Sequence, residues 1–247
     1  VKDDTVVGTQ PLYGEANKGL LCVKGKFGYN FINHRDRLTK PLIRKDGALV
    51  ETSWEEAISY IADKIKTIKA ESGPDALAGL SSARCSNEDN YVFQKMMRAA
   101  IGTNNVDHCA RLCHASTVAG LAITLGSGAM TNSIAEAADQ DVVFVTGSNT
   151  TETHPVIGSL IRQAKRKGAK IIVAEPRRIP LCREADVFLQ IKPGTNVALF
   201  NGMMNVIISE GLQDQKYIDE RTEGYEALKE VVKDYTPEVV AEICQID

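Results

Sequence analysis

Apolar positions recur at helical spacing in one long early stretch and in short continuous runs later in the chain. Trp54, Ala57, Ile58, Ile61, Ala62, Ile65 and Ile68 fall three and four apart, which predicts a helix with one apolar face to about residue 71. Ser53, three positions before Glu56, supplies a capping box for its start, and Gly73-Pro74 ends it. Residues 75–82 predict a short buried strand that runs out into Ser81-Ser82-Ala83-Arg84. Asn87 is placed to cap a second helix reaching Ala100 and stopping at Gly102. Residues 1–40 show weak periodicity, and three glycines around Cys22 (Gly19, Gly25, Gly28) predict a tight loop there.

The second half has a stricter rhythm. Val142-Val143-Phe144-Val145 is a continuous apolar run suited to a strand covered on both faces. Pro155 suits the first turn of a following helix, and Gly168 suits its end after Arg162, Lys165, Arg166 and Lys167. Ile171-Ile172-Val173 and Val187-Phe188-Leu189 predict two further strands, and from Val197 onward the pattern is mostly helical, with Thr236-Pro237 opening the last helix. Strand, helix, strand, strand is the rhythm of an α/β fold with a parallel sheet.

Composition narrows the function classes. A net charge of -3 gives no electrostatic reason for a nucleic-acid partner or an anionic membrane. No apolar run approaches the roughly 20 residues needed to cross a bilayer, so no direct membrane insertion is expected, and no signal sequence is visible. The six cysteines (Cys22, Cys85, Cys109, Cys113, Cys182, Cys244) form no CxxC pair in a chain of 247 residues. A chain of that size does not need disulfide staples, so reduced thiols in a cytoplasmic setting are expected, most of them as small buried hydrophobes.

Two features carry candidate chemistry. The unit from Asp141 to Glu175 predicts a nucleotide site, because parallel sheets bind ligands at the carboxyl ends of their strands. Gly147 lets backbone approach a ligand, and Glu175 is placed to accept ribose hydroxyls. A plain α/β sheet with a strand-end acid fits the same pattern equally well. The absence of GxGxxG after Val145 argues against an ordinary NAD-binding domain. The second feature is Cys113-His114, with Arg111 nearby: thiolate is the nucleophilic and metal-binding form of cysteine, and imidazole moves protons. Alone, one such dipeptide is read more readily as a buried structural cysteine, and Cys109 four residues earlier adds little. His108 and His154 complete no zinc spacing and are expected to be structural or pocket-lining.

Several strings taken in order carry more weight. Leu21-Cys22-Val23-Lys24-Gly25, residues 101–107, Cys109-Ala110-Arg111-Leu112-Cys113-His114, residues 126–132 and Ala174-Glu175-Pro176-Arg177 together resemble the catalytic subunits of molybdopterin-dependent formate dehydrogenases, over essentially the whole chain. The resemblance implies a parallel-sheet, Rossmann-like dinucleotide-binding domain plus part of a second α/β domain, as in the DMSO reductase-like fold of molybdopterin oxidoreductases. It implies a remnant of an iron–sulfur region at residues 1–33, an α/β domain at 34–108 and the dinucleotide domain at 109–247.

The same resemblance implies roles. Cys113 would ligate molybdenum or tungsten, and His114 would be the acid/base beside it. Cys22 would be the last ligand of a 4Fe-4S cluster, and Lys24 would lie between cluster and pterin. Gly147, Asn149, Glu175, Arg177 and Gly194 would hold one arm of a bis(molybdopterin guanine dinucleotide). The implied reaction is two-electron oxidation of formate to CO2, with electrons leaving through the cluster toward iron–sulfur or flavin partner subunits. No cysteine precedes Cys22, although the pattern places three there, so a fragment is expected, inactive and cofactor-free in isolation. A metal-free relative like the large iron–sulfur subunit of complex I, a formylmethanofuran dehydrogenase and an NAD-dependent dehydrogenase are the competing classes.

Overall fold

Ser53, Ser86, Asp214 and Thr236 each cap the start of a helix in this computed structural model, which describes residues 1–15 and 17–247. The glycine-rich segment around Cys22 is not a loop. Cys22 stands in extended backbone at the N-cap of a short helix, α1 (Val23–Phe27), and a 3-10 turn follows over Gly28–Asn33. Glycine permits a loop without enforcing one, and here the Lys26 amide closes a helical turn onto the Cys22 carbonyl at 3.0 Å. The chain divides into two compact units, residues 1–7 with 29–131 and residues 8–28 with 132–247.

The first unit opens with a hairpin, β1 (Leu42–Lys45) and β2 (Ala48–Glu51), paired antiparallel with Lys45 opposite Ala48. Its two-residue turn, Asp46-Gly47, has both residues at positive φ, as a primed turn requires. Helix α2 (Trp54–Ser72) follows, with the Ser53 hydroxyl accepting the Glu56 amide at 3.1 Å. The reciprocal half of the capping box is not made; Glu56 instead takes Lys45 Nζ at 2.9 Å and the Thr52 hydroxyl. Of the expected apolar face only Ala57 is buried, while Trp54, Ile58, Ile61 and Ile68 are exposed.

The strand expected over residues 75–82 is shorter and half uncovered. Pro74–Ala76 forms a 3-10 turn, and β3 (Gly79–Ser81) buries Gly79 while Leu80 faces solvent. Helix α3 (Asn87–Lys95) is capped by Ser86 rather than Asn87: Ser86 and Asp89 exchange both capping-box hydrogen bonds. It widens into a π turn at Met96–Ile101 and ends at Gly102, whose φ of 89° is left-handed. β4 (Val106–His108) pairs parallel to β3, with Ser81 opposite His108. Two helices complete the unit, α4 (Ala110–Cys113) and α5 (Ala115–Leu125).

The second unit is built on three parallel strands in sequential order, β5 (Val142–Thr146), β6 (Lys170–Ala174) and β7 (Val187–Leu189). Between β5 and β6 lie α6 (Thr150–Thr153) and α7 (Pro155–Arg166), with Pro155 at the first position of α7 and Gly168 just past its C-cap at φ 106°. Central strand β6 is covered on both faces, as its continuous apolar run predicts. Ile171 and Val173 pack with Val145, Ile161 and Leu181, while Ala174 packs with Ile191, Leu199 and Val240. β5 is covered less fully, its first residue Val142 being exposed.

Helices α8 (Asn196–Ser209), α9 (Gln215–Arg221), α10 (Tyr225–Val232) and α11 (Pro237–Cys244) follow. Thr236 caps α11 through the Val239 amide, and Pro237 is at its first position. α8 comes so close to α11 that a Cβ added at Gly202 would lie 2.6 Å from Val240. All six cysteines are free, but only Cys182 and Cys244 are buried; Cys22 is half-buried and Cys85, Cys109 and Cys113 are exposed. The expectation that most would be buried hydrophobes fails because three of them sit on loops and short helices of the first unit. Among the described residues no helix is long and apolar enough to cross a membrane.

Candidate functional site

The predicted site residues fall in both units, and each cluster has its own geometry. In the second unit the apolar run of β5 ends at Thr146, and Gly147 turns the chain at φ 59° with open space where a Cβ would stand. The Gly147 amide reaches back to the Ala174 carbonyl at 3.3 Å, which ties the ends of β5 and β6 together. Asn149 then stands at the N-cap position of α6 without making a capping hydrogen bond, and its side-chain oxygen is buried without a partner, as is the hydroxyl of Thr150. Buried polar atoms without partners are costly and uncommon, so donors and acceptors from a ligand would complete this pair at the strand-end mouth.

β6 ends at Ala174, and Glu175 directly after it is buried at 7% exposure. One carboxylate oxygen accepts the Arg177 amide at 3.2 Å, and the Glu175 amide donates to Leu189 at 3.1 Å. Arg177 itself is exposed. Gly194, at φ 86°, turns the chain into α8, from which Asn196 donates to the Thr146 hydroxyl at 3.3 Å. Gly147, Asn149, Glu175 and Arg177 therefore gather at the carboxyl ends of adjacent parallel strands, the position where such sheets take ligands. An acceptor in need of a donor, a buried carboxylate and an open glycine turn fit the hydroxyl and amine donors of a nucleotide. Thr150 and Asn196 belong to the same mouth and escaped sequence reasoning. The polar run Ser148-Asn149-Thr150-Thr151 directly after an apolar strand is the signal that could have found Thr150.

Cys22 and Lys24 lie in the same unit. Cys22 lines an apolar cavity of about 390 Å³ with Leu20, Ile134, His154, Pro155 and Val156. The amides of Gly25 and Lys24 at the start of α1, with the charge of Lys24 adding, hold the Cys22 thiol below its ordinary range. That favours the thiolate, the form that binds metal.

Cys113 and His114 lie in the first unit, at the junction of α4 and α5. His114, at φ -151°, ends one helix and begins the next: its amide donates to the Ala110 carbonyl at 3.1 Å and its carbonyl accepts the Val118 amide at 2.8 Å. The break leaves both side chains exposed. In this chain Cys113 is exposed rather than packed among core hydrophobes. On the preceding turn the Arg111 guanidinium, helped by the His108 amide, holds the Asp107 carboxyl below its usual range, with Arg111 Nε 2.9 Å from Oδ2. Cys109 accepts the Ala83 amide at 3.2 Å. His108 and His154 each line a cavity, as expected.

Among the described residues no three His, Cys, Asp or Glu side chains converge into a metal-holding group. A metal at Cys113 would need its remaining ligands from outside the described side chains. A 4Fe-4S cluster needs four ligands, commonly cysteines. Cys22 is the one cysteine in residues 1–33, so this chain alone does not hold that cluster.

The parallel strands, with polar residues gathered at their carboxyl ends, define an α/β domain of a kind that takes ligands there. Residues 37–229 match the family described as molybdopterin oxidoreductase, and the chain belongs to that family. It is 53% identical over its whole length to the F420-dependent formate dehydrogenase subunit alpha of Methanocaldococcus jannaschii, covering 36% of that protein. It is 45% identical over 98% of its length to formate dehydrogenase H of Escherichia coli, covering 35% of it. Among solved structures it resembles acetylene hydratase from Pelobacter acetylenicus, with a TM-score of 0.74 and 31% identity over 92% of this chain and 31% of that one. The chain thus spans about a third of the length of these relatives.

Proposed function

We propose that the chain is part of the catalytic subunit of a molybdenum- or tungsten-dependent formate dehydrogenase that oxidises formate to CO2 by two electrons. The observation that carries the proposal is the exposed Cys113-His114 pair at a helix break, in a family member whose similar relatives bear formate dehydrogenase names. When bound, the bis(molybdopterin guanine dinucleotide) and its metal supply the two-electron redox chemistry. The chain's own residues bind and orient. Gly147, Asn149, Glu175, Arg177 and Gly194 receive one guanine dinucleotide arm: Asn149 Oδ1 gains the donor it lacks, and Glu175 accepts hydroxyls without leaving its buried position. The Cys113 thiolate would hold the metal, and His114 Nδ1 or Nε2 would take the proton released from formate.

Cys22 and Lys24 are proposed as this chain's contribution to a 4Fe-4S site whose other ligands it does not contain, and no step is drawn through it. The domain division at 1–33, 34–108 and 109–247 refers to that loaded subunit. The relatives' designation as alpha subunits supports the presence of other subunits, proposed here to be iron–sulfur or flavin proteins in a cytoplasmic setting. The test is Cys113→Ser in the full-length protein purified without oxygen. Formate-dependent dye reduction should disappear while the circular dichroism spectrum stays unchanged, because the residue is exposed. Retained formate oxidation would remove Cys113 from the metal.

A further inference from the structure

A second polar cavity, of about 400 Å³, lies in the first unit where the parallel strands β3 and β4 end. It is independent of the strand-end mouth already described and of any role for Cys113. Its walls include Arg98, Arg111, His108, Gln94, Asn90 and Phe93. We propose that it is a binding site for a small oxyanion, a carboxylate or phosphate group held between Arg98 and Arg111.

The charges support this. Arg98 stands in the π turn after α3 and makes no hydrogen bond or ion pair among the described residues, so all five of its donors are open. Arg111 pairs with Asp107 only through Nε, at 2.9 and 3.3 Å, which leaves its terminal nitrogens unused. Asp107 is the one acid in the lining, and its two oxygens are occupied by Arg111 and by the His108 amide at 2.8 Å. His108 Nδ1 accepts the Ala110 amide at 3.1 Å, so a proton on the neutral ring stands on Nε2, a further donor. Asn90 does not compete as an acceptor, since its amide is engaged by the Ser81 hydroxyl and by the Ser82 and Ser86 carbonyls.

The cavity is also shaped by the fold rather than left over from it. A Cβ at Gly79 would lie 2.8 Å from the Phe93 ring, so the bare strand residue lets Phe93 and the α3 backbone approach β3 closely. The π turn then continues directly from α3 and carries Arg98 into the lining. Wide turns of this kind recur at functional sites. A guanidinium fork matches the two oxygens of a carboxylate or phosphate, and two arginines with one paired acid leave a net positive cavity.

Isothermal titration of the purified protein with inorganic phosphate, and separately with formate, tests the proposal. Saturable binding of either ion is expected, weakening as chloride rises, with affinity falling tenfold or more in Arg98→Gln and only partly in Arg98→Lys. Binding of phosphate alone would identify a phosphate site, and binding of formate alone a carboxylate site. Arg35→Gln, an exposed arginine beside Asp36 and outside the cavity, serves as the control and should leave the affinity unchanged. No saturable binding of either ion, or equal weakening in the Arg35 and Arg98 variants, would overturn the proposal.

Discussion

The two units bury their apolar residues very differently. In the unit of residues 8–28 with 132–247, a parallel sheet is closed on both faces: Ile171, Val173 and Leu181 are fully buried on one side and Ala174 and Ile191 on the other. In the unit of residues 1–7 with 29–131, the buried hydrophobics are Ile43, Ala57, Met97 and Ile101, while α2 and α5 present apolar side chains to solvent. Both have helices with plausible patterns and caps. What differs is the partner: a sheet supplies one broad surface against which several helices can bury a face, and two-stranded pairings do not. The consequence for function is that the strand-end mouth rests on a packed support, whereas Cys113 and His114 are displayed on a short helix break.

The largest test of this contrast is Ile171→Ala. Ile171 has no exposure and sits on the central strand, so removing its branched chain leaves a cavity that the surrounding sheet cannot close. Destabilisation of about 2–5 kcal/mol is expected in urea unfolding. A cost under 1 kcal/mol would mean that the core around β6 is loosely packed and that the two units differ less than their burial indicates.

An intermediate effect is expected at Asp186, which closes the entrance of β7. Lys165 Nζ at 2.5 Å comes first among the causes, followed by the Ile171 amide at 2.8 Å, and together they hold its carboxyl far below the usual range. A depressed folded pKa means that its stabilisation is fully present above the unfolded value of about 3.9 and is lost as pH falls through the lower folded value. Asp186→Asn should therefore be less stable than the parent at pH 7, with the gap closing steadily below about pH 4. A gap independent of pH would show that shape, rather than charge, is what Asp186 contributes.

The same contrast explains what could be read from the sequence. In the second unit the three strands, the crossover helix and the last helix were legible, since continuous apolar runs, Pro155, Gly168 and Thr236-Pro237 each have one physical reading that the sheet then enforces. The helix after Cys22 was not. Around the strand ends, Gly147 and Glu175 followed from where the runs stop. Thr150 and Asn196 did not, because an unsatisfied hydroxyl and a clasp across fifty residues of sequence are tertiary facts. In the first unit the helix of residues 54–72 was legible but its burial was not, since periodicity says which side is apolar and nothing about what covers it. The Asp46-Gly47 hairpin passed unnoticed despite its turn pair, and Ser86 displaced Asn87 as a cap because Asp89 stands at the spacing that completes a box with Ser86. Arg98 was invisible as a site residue because its cavity is assembled from β3, α3 and β4 together.

The smallest expected effect is the sharpest check on that burial. Ile58 lies on the apolar stripe of α2 yet is 60% exposed, so Ile58→Ala removes little packed surface. Alanine also has the higher helix propensity, which offsets the small area lost. The two contributions should nearly cancel, leaving the unfolding free energy within about 0.5 kcal/mol of the parent. The same substitution chemistry at Ile171 costs several times more, and the ratio of the two is the measured form of the contrast between the units. A loss of 2 kcal/mol or more at Ile58 would show that the stripe is covered in solution, and the first unit would then have a core as real as the second.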